Sequence, residues 1–406
     1  MYRLCFTLFL FFPVLSYGSS LREAEQSAIR NSYRLRGMTE QKSALDYRED
    51  QLNASFLPGL RMEYSAVHQT MPEQARTHQL SAEARVNLGN PMSFMAKKKQ
   101  LDVRQDMLSE ERSHETQTIM LKLRSAYFKA KFIEEQTEQS RRHLSTLETV
   151  LSITEKKYQQ GRIPVSDKIR SDLEKIRQQQ ILESLELDYK GQKEHLALLT
   201  GDGAAPVTAL STRLPDSFDI SFLPEDFQKT LPARRMEMEI RRSDASRSLK
   251  RSEYLPDVYL SYQRYSYGQD QSSAKGMIGL TWNLSSDSYF SSRAMDMEHR
   301  ALLCDHKEEL QKGRIDFREQ LSRLKSLLTK MAVQKKMLRT YQEISKETLN
   351  QYHRGHISLR DYYEDVRAQI SEEQALLLQR SEAVSLIAQL SFLMEDDTVF
   401  YRALKL

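Results

Sequence analysis

The 406-residue sequence predicts a mainly α chain carrying two membrane-type β-hairpins, laid out as a duplicated unit of helix, β-hairpin and long coiled-coil hairpin. Three observations carry that reading. Gly (13) and Pro (10) are scarce and only 39% of residues are hydrophobic. That is below the roughly 45–50% of an ordinary soluble domain, so long helices with narrow apolar seams fit better than large compact cores. Next, Tyr158, Gly161, Ile163 and Asp167 recur in identical spacing as Tyr352, Gly355, Ile357 and Asp361, the mark of an internal duplication. Finally, each half contains two short segments in which apolar and polar residues alternate, the period of a strand.

Charge excludes some partners. Lys and Arg number 60 against 56 Asp and Glu, a net charge of +4, with both signs interspersed. Neither a nucleic-acid footprint nor an acidic tail is implied.

Taken in order, residues 1–18 read as a cleaved export signal, with cleavage as late as residue 20. Arg3 gives a positive start, Leu4 to Leu15 is apolar apart from Thr7 and Pro13, and Ser16-Tyr17-Gly18 supplies small residues at the cut. The run is shorter than the roughly 20 residues that a spanning helix needs. Cys5 falls in the signal, so the mature chain keeps Cys304 alone and no intrachain disulfide is expected.

Residues 19–200 form the first repeat. An opening helix from Leu21 is ended by Leu57-Pro58, a β-hairpin spans 59–89, and a helix without Gly or Pro runs from Pro91 to Tyr158. At about 1.5 Å per residue that helix is roughly 100 Å long, which no compact domain requires. The tip lies at 158–167 and the returning helix at about Pro164 to Thr200. A linker rich in Gly, Pro, Ser and Thr covers 201–224. Residues 225–395 repeat the plan: a helix ended by Leu255-Pro256, a hairpin at 257–285, a long helix from about Ser288, a tip at 352–361, and a returning helix from Leu359. Residues 396–406 read as a tail.

One side of the strands is apolar: Leu60, Met62 and Tyr64; Leu80, Val86 and Leu88; Val258, Leu260 and Tyr262; Ile278, Leu280, Trp282 and Leu284. An isolated hairpin of this kind usually packs on a helix. Here export, strand lengths near the nine to eleven residues that cross a bilayer, and aromatic residues crowding the ends favour lipid as the neighbour. Four strands cannot close a barrel, so copies must combine, and twelve strands from three copies leave room for a lumen. The helical seams are read from Leu144, Leu147, Leu151 and Tyr158 against Ile169, Leu173 and Ile176, and from Met331, Leu338, Ser345 and Tyr352 against Tyr363, Val366 and Ile370.

At the tips, Gly161 and Gly355 suit the left-handed residue that ends a helix, and Ser358 with Asp361 has capping-box spacing. No phosphate loop, nucleophile elbow or paired-histidine zinc helix is present, and Cys304, His299, His306, His353 and His356 read as solvated or seam residues. No enzyme, metal or cofactor is expected.

The segments Tyr158-Gln-Gln-Gly161-Arg162-Ile163-Pro-Val-Ser-Asp167 and Tyr352-His-Arg-Gly355-His-Ile357-Ser-Leu-Arg-Asp361 resemble the paired tip signatures of TolC-like outer-membrane efflux proteins. Tyr254-Leu255-Pro256-Asp257, Leu199-Thr200-Gly201 and Leu231-Pro232-Ala233-Arg234-Arg235 are similar to that family as well. The resemblance implies a homotrimer in the bacterial outer membrane, a twelve-stranded β-barrel continued by a helical barrel across the periplasm. It implies an exit duct of a tripartite efflux or type I secretion system, with a periplasmic adaptor (membrane fusion protein) and an inner-membrane pump as partners. By the same resemblance Tyr158, Gly161, Arg162, Ile163, Tyr352, Gly355 and Ile357 fall at the adaptor-facing tip, and Asp361, Glu364 and Asp167 are the acidic residues of the aperture. A periplasmic coiled-coil adaptor or scaffold would have similar helices without needing four amphipathic strands.

Overall fold

The computed structural model describes residues 21–55, 57, 59–67, 77–201, 214–225, 231–267, 271–282 and 286–405, with some strand residues described by their backbone alone. The export signal with Cys5, most of the inter-repeat linker, the start of the second repeat after Glu225, and Leu284 lie outside the described residues.

The elements run α1 (Leu21–Asn31), α2 (Tyr33–Ala54), β1 (Gly59–Val67), β2 (Thr77–Gly89), α3 (Pro91–Gln159), α4 (Val165–Thr200), α5 (Leu231–Ser252), β3 (Asp257–Tyr267), β4 (Gln271–Thr281), α6 (Ser286–Arg354), α7 (Leu359–Met394) and α8 (Asp397–Leu404). The duplication shows in the lengths. Helices α3 and α6 have 69 residues each, and α4 and α7 have 36 each.

Three expectations need correction. The opening helix is two helices, broken at Ser32, beside the point where the Asn31 amide donates to Thr200 O (2.8 Å). Helix α5, described from Leu231, stops at Ser252, short of Leu255, with a turn over Glu253 to Leu255. The predicted C-terminal tail holds helix α8: Asp396 caps it by accepting from Thr398 N (2.9 Å), and Val399, Phe400, Ala403 and Leu404 are buried on one face.

Two compact units form, and neither coincides with a repeat. The first is built from Met1–Ser32, Thr116–Glu225 and Phe317–Leu406, the second from Tyr33–Glu115 and Asp226–Asp316. Each therefore draws on both repeats.

In the second unit, the four strands make one antiparallel sheet in the order β1-β2-β3-β4. Arg61 faces Glu83, which faces Gln263, which faces Lys275 across the sheet. Between Asn87 and Gly89 the register of β2 against β3 shifts, which places Leu88 at a bulge and ends the alternation one residue early. Strand β4 ends at Thr281, so Trp282 lies just past the strand, and its indole donates to Tyr254 O (2.9 Å).

In the first unit, a buried guanidinium holds three chain segments together. Arg124 on α3 is bonded through Nε to Glu25 of α1 (2.7 Å) and through a terminal nitrogen to Asp397 of α8 (2.8 Å), and its plane lies 4.3 Å from the Phe400 ring. Burial opposes the charge, and the two carboxylates outweigh it, so the cation is kept. Described linker residues are fixed in this unit too. Arg380 reaches Pro215 O (3.0 Å) and Asp216 (3.0 Å), while Glu135 accepts from Leu214 N (3.2 Å).

Candidate functional site

The strands of the second unit present an inverted sheet. Register puts Leu60 opposite Ala84, Met62 opposite Ala82, Val86 opposite Leu260, and Leu260 opposite Ile278, with Val258 opposite Leu280. Because side chains alternate along a strand, these residues share a side. Where side chains are described, that side is open: Ile278 is 75% and Leu280 69% exposed, Leu260 and Tyr262 are also exposed, and Val86 and Val258 are half-buried. Leaving such side chains in water forgoes roughly 1.5 kcal/mol or more apiece. For Leu60, Met62, Tyr64, Leu80 and Leu88 the structure describes the backbone only.

The reverse side is polar and fitted. Arg85 lies over the Tyr259 ring (4.4 Å), and Tyr259 crosses directly onto Gly279, where a Cβ would meet the ring at 2.2 Å. Glycine at 279 is therefore required by the close approach of an aromatic ring, which no reading of the alternation could reveal.

At the other functional region, in the first unit, both long helices end the same way. Gly161 has φ 68° and Gly355 φ 82°. Gly161 N donates to Tyr158 O (2.8 Å) and Arg162 N to Lys157 O (2.9 Å), while Gly355 N donates to Tyr352 O (3.1 Å) and His356 N to Gln351 O (2.9 Å). These are twin Schellman motifs. The two turns differ in how the returning helix begins. Helix α4 is entered from Pro164 with no side-chain cap, whereas Ser358 and Asp361 form a reciprocal capping box for α7.

The predicted tip residues separate into a surface and a core. Tyr158, Gly161, Arg162 and Gly355 are exposed and Ile163 and Ile357 half-buried. Tyr352 is buried, 2% exposed, so it supports the tip from inside and offers no docking surface. Its ring stacks on Tyr362 (5.9 Å) within a cluster of Leu147, Val150, Leu359, Tyr363 and Val366. Hydroxyl pairs tie the repeats together: Tyr352 Oη lies 2.9 Å from Thr154 Oγ1, and Tyr363 Oη 2.8 Å from Ser171 Oγ. Arg367 of α7 also pairs with Glu174 of α4. Burial pushes the Tyr363 phenol up to about 12 and raises Tyr352 and Tyr362 in the same direction.

The acidic residues have local duties as well. Asp361 accepts from Ser358 Oγ (2.7 Å), Glu364 pairs with Arg360 (3.0 Å), and Asp167 is half-buried in the first turn of α4, 4.0 Å from Arg170. Away from the turns, His143 of α3 meets Glu373 of α7 at 2.9 Å. Burial raises the Glu373 carboxyl, but hydrogen bonds from His143, Gln369 and Gln342 outweigh it and hold the group below the usual range.

The seam prediction fails at Tyr158, which is exposed, and along α4. Ile169 is 53% exposed, and Leu173 and Ile176 are exposed as well, while the buried positions of the tip come from α3, α6 and α7. Arg124 escapes sequence reasoning altogether, since a lone Arg in a helix of alternating charge carries no signal of its own.

No protein-family model and no curated protein sequence matches the chain. Solved structures do match it in fold. The outer-membrane channel MtrE of Neisseria gonorrhoeae, in its open state, aligns over 94% of this chain and 90% of its own, with a TM-score of 0.78 at 15% identity. The outer membrane protein VceC of Vibrio cholerae aligns over 95% of both chains, with a TM-score of 0.75 at 13% identity. The outer-membrane channel CmeC of Campylobacter jejuni covers 92% of this chain and 85% of its own, with a TM-score of 0.77 at 11% identity. The fold of the chain is thus the one these outer-membrane channels share, the mainly helical plan that the tip signatures led us to expect.

Proposed function

We propose that the chain is one protomer of a trimeric outer-membrane exit duct, passively conducting substrate from a periplasm-spanning helical barrel through a twelve-stranded β-barrel. The observation that carries this is the open apolar row of β3 and β4, backed by a polar reverse face, on a sheet with both edges unpaired among the described residues. Water makes such a sheet unfavourable, and lipid on one side with an aqueous lumen on the other makes it favourable. One chain supplies four strands, and an open edge in lipid leaves backbone groups without partners, so copies must complete the ring. Fold likeness to outer-membrane channels supports the same location.

In this reading there is no chemical step. Transport is diffusion through water, with selection where the tips converge. Asp361, Glu364 and Asp167 would raise cation occupancy there, each keeping the local role described above. The exposed turn residues Tyr158, Gly161, Arg162 and Gly355, with the half-buried Ile163 and Ile357 between them, present the docking surface for a periplasmic adaptor, which would connect the duct to an inner-membrane pump of an efflux or type I secretion system. A soluble adaptor or scaffold has no use for the open sheet face, which disfavours that alternative.

The test is purification with and without detergent, followed by gel mobility before and after heating and by planar-bilayer recording. A detergent-dependent, heat-dissociable trimer that conducts supports the proposal. A water-soluble monomer overturns it.

A further inference from the structure

The two helices that leave the sheet carry the same exposed pair. Met95 and Lys99 on α3 lie 194 residues before Tyr289 and Arg293 on α6, the offset that relates Tyr158 to Tyr352. Within each pair the residues are four apart, so they stand on one helix face, one turn from each other. Met95 is 70% exposed, Phe290 beside Tyr289 is 68%, and Met92, Trp282, Lys99 and Arg293 are exposed too. The open apolar face of the sheet thus continues into the first turns of α3 and α6 and gives way there to cations.

Those cations exceed what the protein neutralises. Lys98 has Glu49 at 4.0 Å, but neither Lys97 nor Lys99 has an ion-pair partner among the described residues. Near α6, Asp296 pairs with both Arg247 (2.7 Å) and Arg251 (3.2 Å) and Asp244 adds a second contact to Arg247 (3.2 Å), so two carboxylates face three guanidinium groups. Arg293, whose Nε donates to Tyr289 Oη (3.4 Å), shares the field of Asp296 without an ion pair of its own among the described residues. One turn of helix advances about 5.4 Å. That is close to the depth of one headgroup layer, about half the difference between a bilayer's hydrocarbon core of roughly 30 Å and its full thickness of roughly 40–45 Å.

We infer that Lys99 and Arg293 form a repeated cationic belt that binds the phosphate-bearing headgroups of anionic phospholipid in the leaflet facing the helices. Exposed Met and aromatic side chains mark the acyl boundary, and the cations sit one turn beyond it, at the level of the lipid phosphates. The inference rests on the channel reading and adds a lipid class to it.

The experiment uses the full chain reconstituted into vesicles of phosphatidylethanolamine alone or with one quarter phosphatidylglycerol. Flotation reads insertion, and native mass spectrometry reads retained phosphatidylglycerol. Wild type and the charge-preserving K99R/R293K are expected to retain phosphatidylglycerol preferentially. K99Q/R293Q is expected to float equally well and to lose about fivefold in retention for each charge removed, with high salt erasing the difference. Equal retention by wild type and K99Q/R293Q in floating material overturns the belt and leaves the channel reading intact. A wild-type chain that floats with neither vesicle overturns the channel reading, and the belt with it.

Discussion

Helices α4 and α7 are the same length and begin after the same turn, yet they live in different surroundings. Helix α7 buries twelve residues distributed from Leu359 to Ser391, among them Val384, Ile387 and Leu390, whereas α4 buries Ser171, Leu196 and Thr200. Along α4 the row Val165, Ile169, Leu173 and Ile176 is about half exposed. Duplication has copied the backbone plan and the turn chemistry without copying the packing. Side chains on α7 finish a core within the chain, and those on α4 keep the spacing of a seam that this chain does not fill. In the trimer we propose, a neighbouring copy fills it.

The sharpest way to break this contrast is at the buried end. Arg124→Ala strands Glu25 and Asp397 without their cation beside α7, and it should cost about 3–5 kcal/mol, read as lost thermal stability in detergent. Ile387→Ala and Ile169→Ala make the comparison directly. The first empties a fully buried site and should cost about 2–5 kcal/mol. The second should alter monomer stability by less than about 0.5 kcal/mol while lowering the yield of trimer. Equal destabilisation of the monomer by both would remove the distinction between the helices.

Alkali should loosen the tip next. Burial favours the neutral phenols of Tyr362 and Tyr363, so their contribution is fully present below pH 10 and falls as pH rises from 10 toward about 12. The loss for Tyr363 is on the order of 2 kcal/mol. Tyrosinate absorbance should rise together with loss of helix near the turns, and Tyr363→Phe should flatten the dependence. A smaller effect than that of the phenols is expected at the turns themselves. A Cβ at Gly161 or Gly355 meets nothing within 4 Å, so Gly→Ala at either position costs only the left-handed strain, about 1 kcal/mol. The two substitutions should match within error. A larger loss at Gly355 would show that the capping box after it depends on that turn.

Much of this is legible in sequence because it is local. Strand alternation, the scarcity of breakers between Pro91 and Gln159, and the spacing from Tyr158 to Asp167 report on backbone geometry, and the elements stand within a few residues of their expected places. What is illegible is non-local. Whether Ile169 or Val366 is buried depends on which helix lies beside it, and apolar spacing is the same for both. Sequence alone reads Tyr352 both as a seam position and as an adaptor-facing residue, and the structure places it on the buried seam side of the last turn of α6. The burial of Val399, Phe400, Ala403 and Leu404 could have been anticipated from their helical spacing behind Asp396, which is a recognisable cap.

Both margins of the sheet, β1 and β4, have no partner strand among the described residues. Outside the trimer we propose, those margins and the oily row between them are a template for indiscriminate strand addition. For the duct we propose, an unassembled protomer would therefore be aggregation-prone in water, and its biogenesis calls for a chaperone that shields the strands or for assembly rapid enough to outrun clumping.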